Sequence, residues 1–271
     1  MASPEKAGDV GDEMRAPAPL PPDVWRVSRW NDAPSNSPPR RPTFELAVIG
    51  ILLLWNVTAN LVIPEATSLP LSVVGAALLL VLAHRNGLSW DYLGLQKELV
   101  GTSLRVGIAA LGVVIATIGV VAAIPASREL LADDRFLGVG FPEMLYEALI
   151  RIPIGTALAE ELAFRGVVLG MLLVWMTPLR AVVVSSALFG LWHILPAIEA
   201  LETNPAADLA SGTFATVAEV AVQVIVTGVA GTGFAWLRLR GRGIAAPALA
   251  HWGLNGAAYA VGFLVVRNGW A

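Results

Sequence analysis

Three short polar patterns interrupt otherwise apolar stretches of this chain, and their residue types are those of hydrolytic chemistry. The first is Glu160-Glu161-Leu162-Ala163-Phe164-Arg165. Glu161 and Arg165 stand four apart, so on a helix they share a face and can pair. Glu160 lies about 100° round the same helix and is left to face something else. A carboxylate withdrawn from water is a stronger base than one in solution, which suits proton abstraction. A plain Glu–Arg brace between helices accounts for these residues equally well. The second pattern, Phe189-Gly190-Leu191-Trp192-His193, sets Phe189 and His193 on one face. A lone histidine in an apolar helix is more often a packing residue than a catalytic one. The third, His251-Trp252-Gly253-Leu254-Asn255, again places two polar groups four apart, among small residues (Ala246, Ala250, Gly253, Gly256) that let helices approach closely. Taken alone, it reads equally well as a hydrogen-bonded clamp between helices.

The surroundings give these patterns weight. Of the 271 residues, 56% are hydrophobic and only 14% are charged, and the mean hydropathy is +0.67. A water-soluble domain carries about 25% charged residues, so this chain is suited to lipid rather than to water. Stretches of the length needed to cross a bilayer occur at about 44–63, 69–84, 103–124, 143–176, 179–198, 213–237 and 243–266. The fourth is long enough to be either one tilted helix or a surface helix followed by a span. The expectation is an all-α, polytopic transmembrane helical bundle of seven to eight spans, because backbone groups in lipid must pair within their own segment. Ionisable residues inside such spans are costly and are functional suspects. With about 1.5 Å of rise per residue, Glu160 falls roughly 24 Å from the nearer cytoplasmic helix end, His193 roughly 20 Å and His251 roughly 13 Å. All three depths lie within the hydrocarbon layer, so three separate helices bring catalytic-type groups to overlapping depth.

Residues 1–43 are rich in proline and charge and read as a disordered cytoplasmic tail. They lack the basic start and apolar run of a signal peptide. Lys and Arg concentrate in the tail, after the second span (Arg85, Lys97, Arg105) and after the sixth (Arg238, Arg240, Arg242). That bias places the N-terminus in the cytoplasm, and the cell (plasma) membrane is the expected location. The net charge of −3 with no basic stripe gives nucleic-acid binding no support. The chain has no cysteine, which removes disulfides and thiolate catalysis. No HExxH is present, and every aspartate falls outside the spans, which excludes an aspartyl dyad within the membrane. Glu147 and Arg151 read as a bland helical pair, and Asn56-Val57-Thr58 as a glycosylation acceptor discounted because it lies inside a span.

On these residues the chain resembles the type II CAAX prenyl endopeptidases, also called the CPBP or Abi family of intramembrane proteases. That family is marked by EExxxR, FxxxH and HxxxN on successive membrane helices. Here they are Glu160-Glu161 with Arg165, Phe189 with His193, and His251 with Asn255, in order and intact. The resemblance covers about residues 143–263 of a membrane domain spanning 44–266. It implies an endopeptidase acting on membrane-associated protein or peptide substrates in contact with lipid. Glu160 would activate a water that His193 positions, His251 and Asn255 would donate to the oxyanion, and Glu161 and Arg165 would orient the site or hold a substrate carboxylate. No cofactor is certain. Family members have been described both as metalloproteases and as glutamate-dependent enzymes, so a divalent metal such as zinc has candidate ligands in His193, His251 and Glu160. A proton-coupled transporter would also use buried Glu and His, but transporters often carry repeats with broken helices in both halves, whereas here the polar chemistry sits in the second half. A non-catalytic membrane scaffold is the remaining alternative.

Overall fold

A computed structural model of the chain describes residues 42–64, 67–131, 134–203 and 213–270. Residues 1–41 of the expected tail lie outside them. Among the described residues there is no strand. The helices are α1 (Pro42–Leu61), α2 (Ser68–Arg85), the short α3 (Trp90–Leu93), α4 (Val100–Ala123), α5 (141–173), α6 (Pro178–Trp192), α7 (Ile194–Thr203), α8 (Thr213–Gly241) and α9 (Ala245–Arg267).

Among the described residues six helical stretches are long and apolar enough to cross a membrane: Pro42–Leu61, Ser68–Arg85, Trp90–Ala123, Pro178–Leu201, Thr216–Gly241 and Ala245–Arg267. The chain is an integral membrane protein. Helix α5 matches the fourth expected span in position but is more polar than the other six, because it carries Glu147, Arg151, Glu160, Glu161 and Arg165. With it the bundle reaches the lower of the expected counts. Large apolar side chains such as Leu46, Leu54, Val113 and Val229 are exposed on the outside of the bundle, where lipid rather than water accepts them without cost.

Of the two expectations for the fourth stretch, the single helix is the one observed, and it is irregular. It runs as α-helix over Phe141–Tyr146, widens to π-helix over Glu147–Leu158, returns to α for Ala159–Glu161, widens again over Leu162–Val168 and ends as α-helix over Leu169–Leu173. π-Helical turns are rare and concentrate at functional sites. The two adjacent glutamates sit in the short α segment between the wide stretches.

The fifth expected span departs from a single helix. It breaks at His193, which caps α6 with φ −87° and ψ 7°. Pro196 explains the break: it has no N–H to donate to the Trp192 carbonyl one turn earlier. That carbonyl instead accepts from Asn56 Nδ2 at 3.0 Å, across from α1.

Glycines set the closest approaches between helices. A Cβ built on Gly190 would lie 2.5 Å from the Val224 carbonyl and 3.3 Å from the Gly228 Cα, so α6 and α8 cross almost backbone to backbone. We predict that Gly190→Ala lowers thermal stability in detergent by about 1–3 kcal/mol, the usual cost of overpacking. Gly112→Ala is the control, since a Cβ there meets nothing within 4 Å. Equal melting temperatures for the two variants would contradict the close crossing.

Candidate active site

Glu161 and Arg165 are both fully buried (0% exposed). Arg165 Nη1 donates to Glu161 Oε1 at 2.9 Å, and Nη2 donates to the Gly231 carbonyl of α8 at 3.0 Å. A Cβ on Gly231 would stand 2.9 Å from that same nitrogen, so glycine is what lets the guanidinium reach the α8 backbone. The Arg165 Cζ lies 4.0 Å from the centre of the Phe189 ring and 5.3 Å from that of Phe234, cation–π distances for a fully buried guanidinium.

From this pair a chain of hydrogen bonds leads to α9. Glu161 Oε1 also meets His251 Nδ1 at 3.0 Å, and His251 Nε2 meets Asn255 Nδ2 at 3.2 Å. The direction of the chain follows from donor and acceptor chemistry. An ionised Glu161 only accepts, so His251 Nδ1 carries the proton. In the neutral ring Nε2 is then an acceptor, so the Asn255 amide turns its NH₂ towards it. One N–H of that amide remains available. The Phe234 ring stacks on His251 at 4.8 Å and 19°, and Phe189 closes a second side edge-on at 5.9 Å.

Beside this network lies a cavity of about 240 Å³ whose lining includes Glu160, Trp192, His193 and Asn255. Glu160 Oε1 accepts from Trp192 Nε1 at 3.4 Å. Its Oε2 is buried and accepts no hydrogen bond from the protein. His193 Nδ1 lies 2.8 Å from the Phe189 carbonyl. A carbonyl can only accept, so Nδ1 carries the proton and Nε2 of the neutral ring is left as an acceptor. Glu160 and Glu161, neighbours in sequence, therefore serve different surroundings: one faces the cavity and the other the buried ion pair.

All six residues singled out from the sequence come together in one region, but His251 does not line the cavity. It is buried (3% exposed), and both its nitrogens are engaged. Of the pair expected to face an oxyanion, only Asn255 reaches the cavity wall. The same engagement bears on metal binding. His251 has no ring nitrogen to give, and among the described residues no three His, Asp or Glu side chains cluster as a metal site. A zinc ion held by Glu160, His193 and His251 does not fit this arrangement.

Several contributors were passed over in the sequence. Asn56, set aside with a discounted acceptor motif, is the buried donor that fastens α1 to the α6 break. Trp192 is held edge-on by Trp55 and Phe164, at 5.2 and 5.5 Å, while its indole N–H reaches Glu160. Arg151, read as half of a bland pair, is buried against Glu147 and lines the cavity. The signal for Asn56 was in view, since a polar side chain in mid-span is expected to have a partner.

Removing one member of a buried ion pair strands the other, at a cost of about 3–5 kcal/mol. We therefore expect Arg165→Ala to reduce the yield and thermal stability of folded protein together with any activity. A melting temperature in detergent equal to wild type would show that the pair carries no structural weight.

No curated protein and no solved structure matches the chain. One family model does: that of the Rce1-like type II CAAX prenyl endopeptidases, over residues 142–257. The matched stretch includes all six residues of the network and cavity just described. Residues 142–257 are thus similar to the Rce1-like type II CAAX prenyl endopeptidases, a family of membrane proteases.

Proposed function

We propose that the protein is an intramembrane endopeptidase in which Glu160 activates a water molecule for attack on a peptide carbonyl. The observation that carries this reading is the asymmetric environment of Glu160. One carboxylate oxygen is held by the Trp192 indole, and the other, Oε2, is buried without a protein partner on a residue that lines the cavity. A water admitted from the cavity to Oε2 would satisfy that oxygen.

In this scheme His193 Nε2 accepts a hydrogen bond from the water and orients it, while Glu160 takes the proton. The water oxygen bonds to the carbonyl carbon and the carbonyl oxygen becomes an oxyanion. The available N–H of Asn255 donates to it, in a site where the low dielectric makes such a donor most effective. Collapse of the tetrahedral species breaks the C–N bond, and Glu160 returns its proton to the departing amine. His251, Glu161 and Arg165 act behind Asn255: they fix which way its amide faces and need not touch the substrate.

Purified protein in detergent, assayed on a library of membrane-anchored peptides, tests the scheme. Glu160→Gln is nearly isosteric, and we expect it to lower cleavage by about 10²–10⁴-fold, the usual contribution of a general base. Wild-type rates from this variant on a verified substrate would remove Glu160 from the role. Asn255→Ala should cost about 10²–10³-fold in kcat, as loss of an oxyanion donor does. Because His251 has no ring nitrogen to offer a metal, cleavage should persist in the presence of a chelator. Loss of cleavage on chelation, with restoration by zinc, would replace this mechanism by a metal-dependent one.

A further inference from the structure

The two ends of the bundle treat the cavity differently. At the end where α1 begins, the connections are sealed. Arg238 at the end of α8 donates to the carbonyls of Asp91 and Tyr92 at 2.9 and 3.1 Å, and the Ile244 N–H donates to the Gly94 carbonyl at 3.1 Å. A Cβ on Gly170 of α5 would lie 2.6 Å from the Tyr92 carbonyl, and Leu93, Val167 and Leu169 beside it are fully buried. No residue of this end lines the cavity.

The opposite end supplies its rim. Asn60 closes α1, Ser68 opens α2, Arg135 lies between α4 and α5, and Glu199 and Ala200 lie in α7. Arg135, Glu199 and Ala200 are exposed. From a floor of Glu160, Trp192, His193 and Asn255, the cavity thus leads towards the end away from the N-terminus of α1.

Charge assigns these ends to the two sides of the membrane. The sealed end carries Arg85, Lys97, Arg105, Arg180, Arg240 and Arg242, with Asp91 and Glu98 among them. The open end carries Arg128, Arg135 and Arg267, interspersed with Glu143 and Glu199. Lys and Arg accumulate on the cytoplasmic side of membrane proteins.

We infer that the cavity is reached from the non-cytoplasmic face of the membrane, and that its substrates are polypeptide segments presented on that face. The substrate class rests on the peptidase reading above; the direction of access does not.

The chain has no cysteine, so a single introduced thiol reports its own position. In intact cells producing the full chain, Ala200→Cys should react with a membrane-impermeant maleimide. Glu98→Cys, at the sealed end, should react only after the membrane is permeabilised, which also shows that the variant is present. The reverse pattern, or reaction of both variants in intact cells, would overturn the assignment. In detergent, a bulky maleimide on Ala200→Cys should abolish peptide cleavage, while the same reagent on Glu98→Cys should leave it unchanged. Undiminished cleavage with Ala200→Cys fully modified would overturn the route of access. If the unmodified protein cleaves no peptide, the labelling alone decides the direction of access, and only the peptidase reading falls.

Discussion

The buried ion pair of Glu161 and Arg165 is the constraint on which the rest of the site depends. Two full charges are buried from solvent, where either one alone would be strongly unfavourable. Each therefore has partners from other helices, although Glu161 Oε2 and Arg165 Nε make no hydrogen bond within the protein. α8 brings its backbone close at Gly231 to accept from the guanidinium, and Phe189 and Phe234 lie against that cation. α9 supplies His251 to the carboxylate. One pair thus ties α5, α6, α8 and α9 together, and the same bonds set the tautomer of His251 and the facing of Asn255.

Helix α5 makes this possible by leaving regular geometry. It holds adjacent glutamates in a short α segment between two wide stretches, with Glu161 turned into the sealed network and Glu160 into the cavity. Strong electrostatic order on one side of the helix thereby supports a more accessible carboxylate on the other. Glu161 has its charge balanced by Arg165. Glu160 is steadied on one oxygen by a neutral indole, which orients it without neutralising it.

The first part of the chain carries none of the three motifs, yet it completes the site. Trp55, Ala59 and Asn60 of α1 and Ser68 and Ser72 of α2 wall the cavity, and Asn56 holds the helix break that presents His193. Without these walls the polar floor residues would face lipid, which offers them no hydrogen bonds. The family match begins only at residue 142, so the helices before it act here as an enclosure for the matched core.

Much of this could be read from sequence because a membrane makes polar residues rare. Glu160, Glu161, Arg165, His193, His251 and Asn255 stand out against spans of Leu, Val and Ala, and the depth of each follows from counting along a helix. The spans were legible for the same reason, since length and hydropathy are local properties. What sequence could not supply depended on contacts between distant residues. The partner of the Trp192 carbonyl is 136 positions away, and Glu161 and His251 are 90 apart. Whether His251 or Asn255 faces the cavity is decided by which donor Glu161 captures, and of the two stretches where α5 widens to π-helix only the first holds a residue, Pro153, that interrupts regular helical hydrogen bonding. Sequence by itself determined that catalytic-type groups share a depth in the membrane, because each ionisable residue there is visible and costly. Only the tertiary structure decided which of them meet the cavity, because hydrogen-bond pairing in a low dielectric is settled by the helices that pack together and not by spacing along one of them.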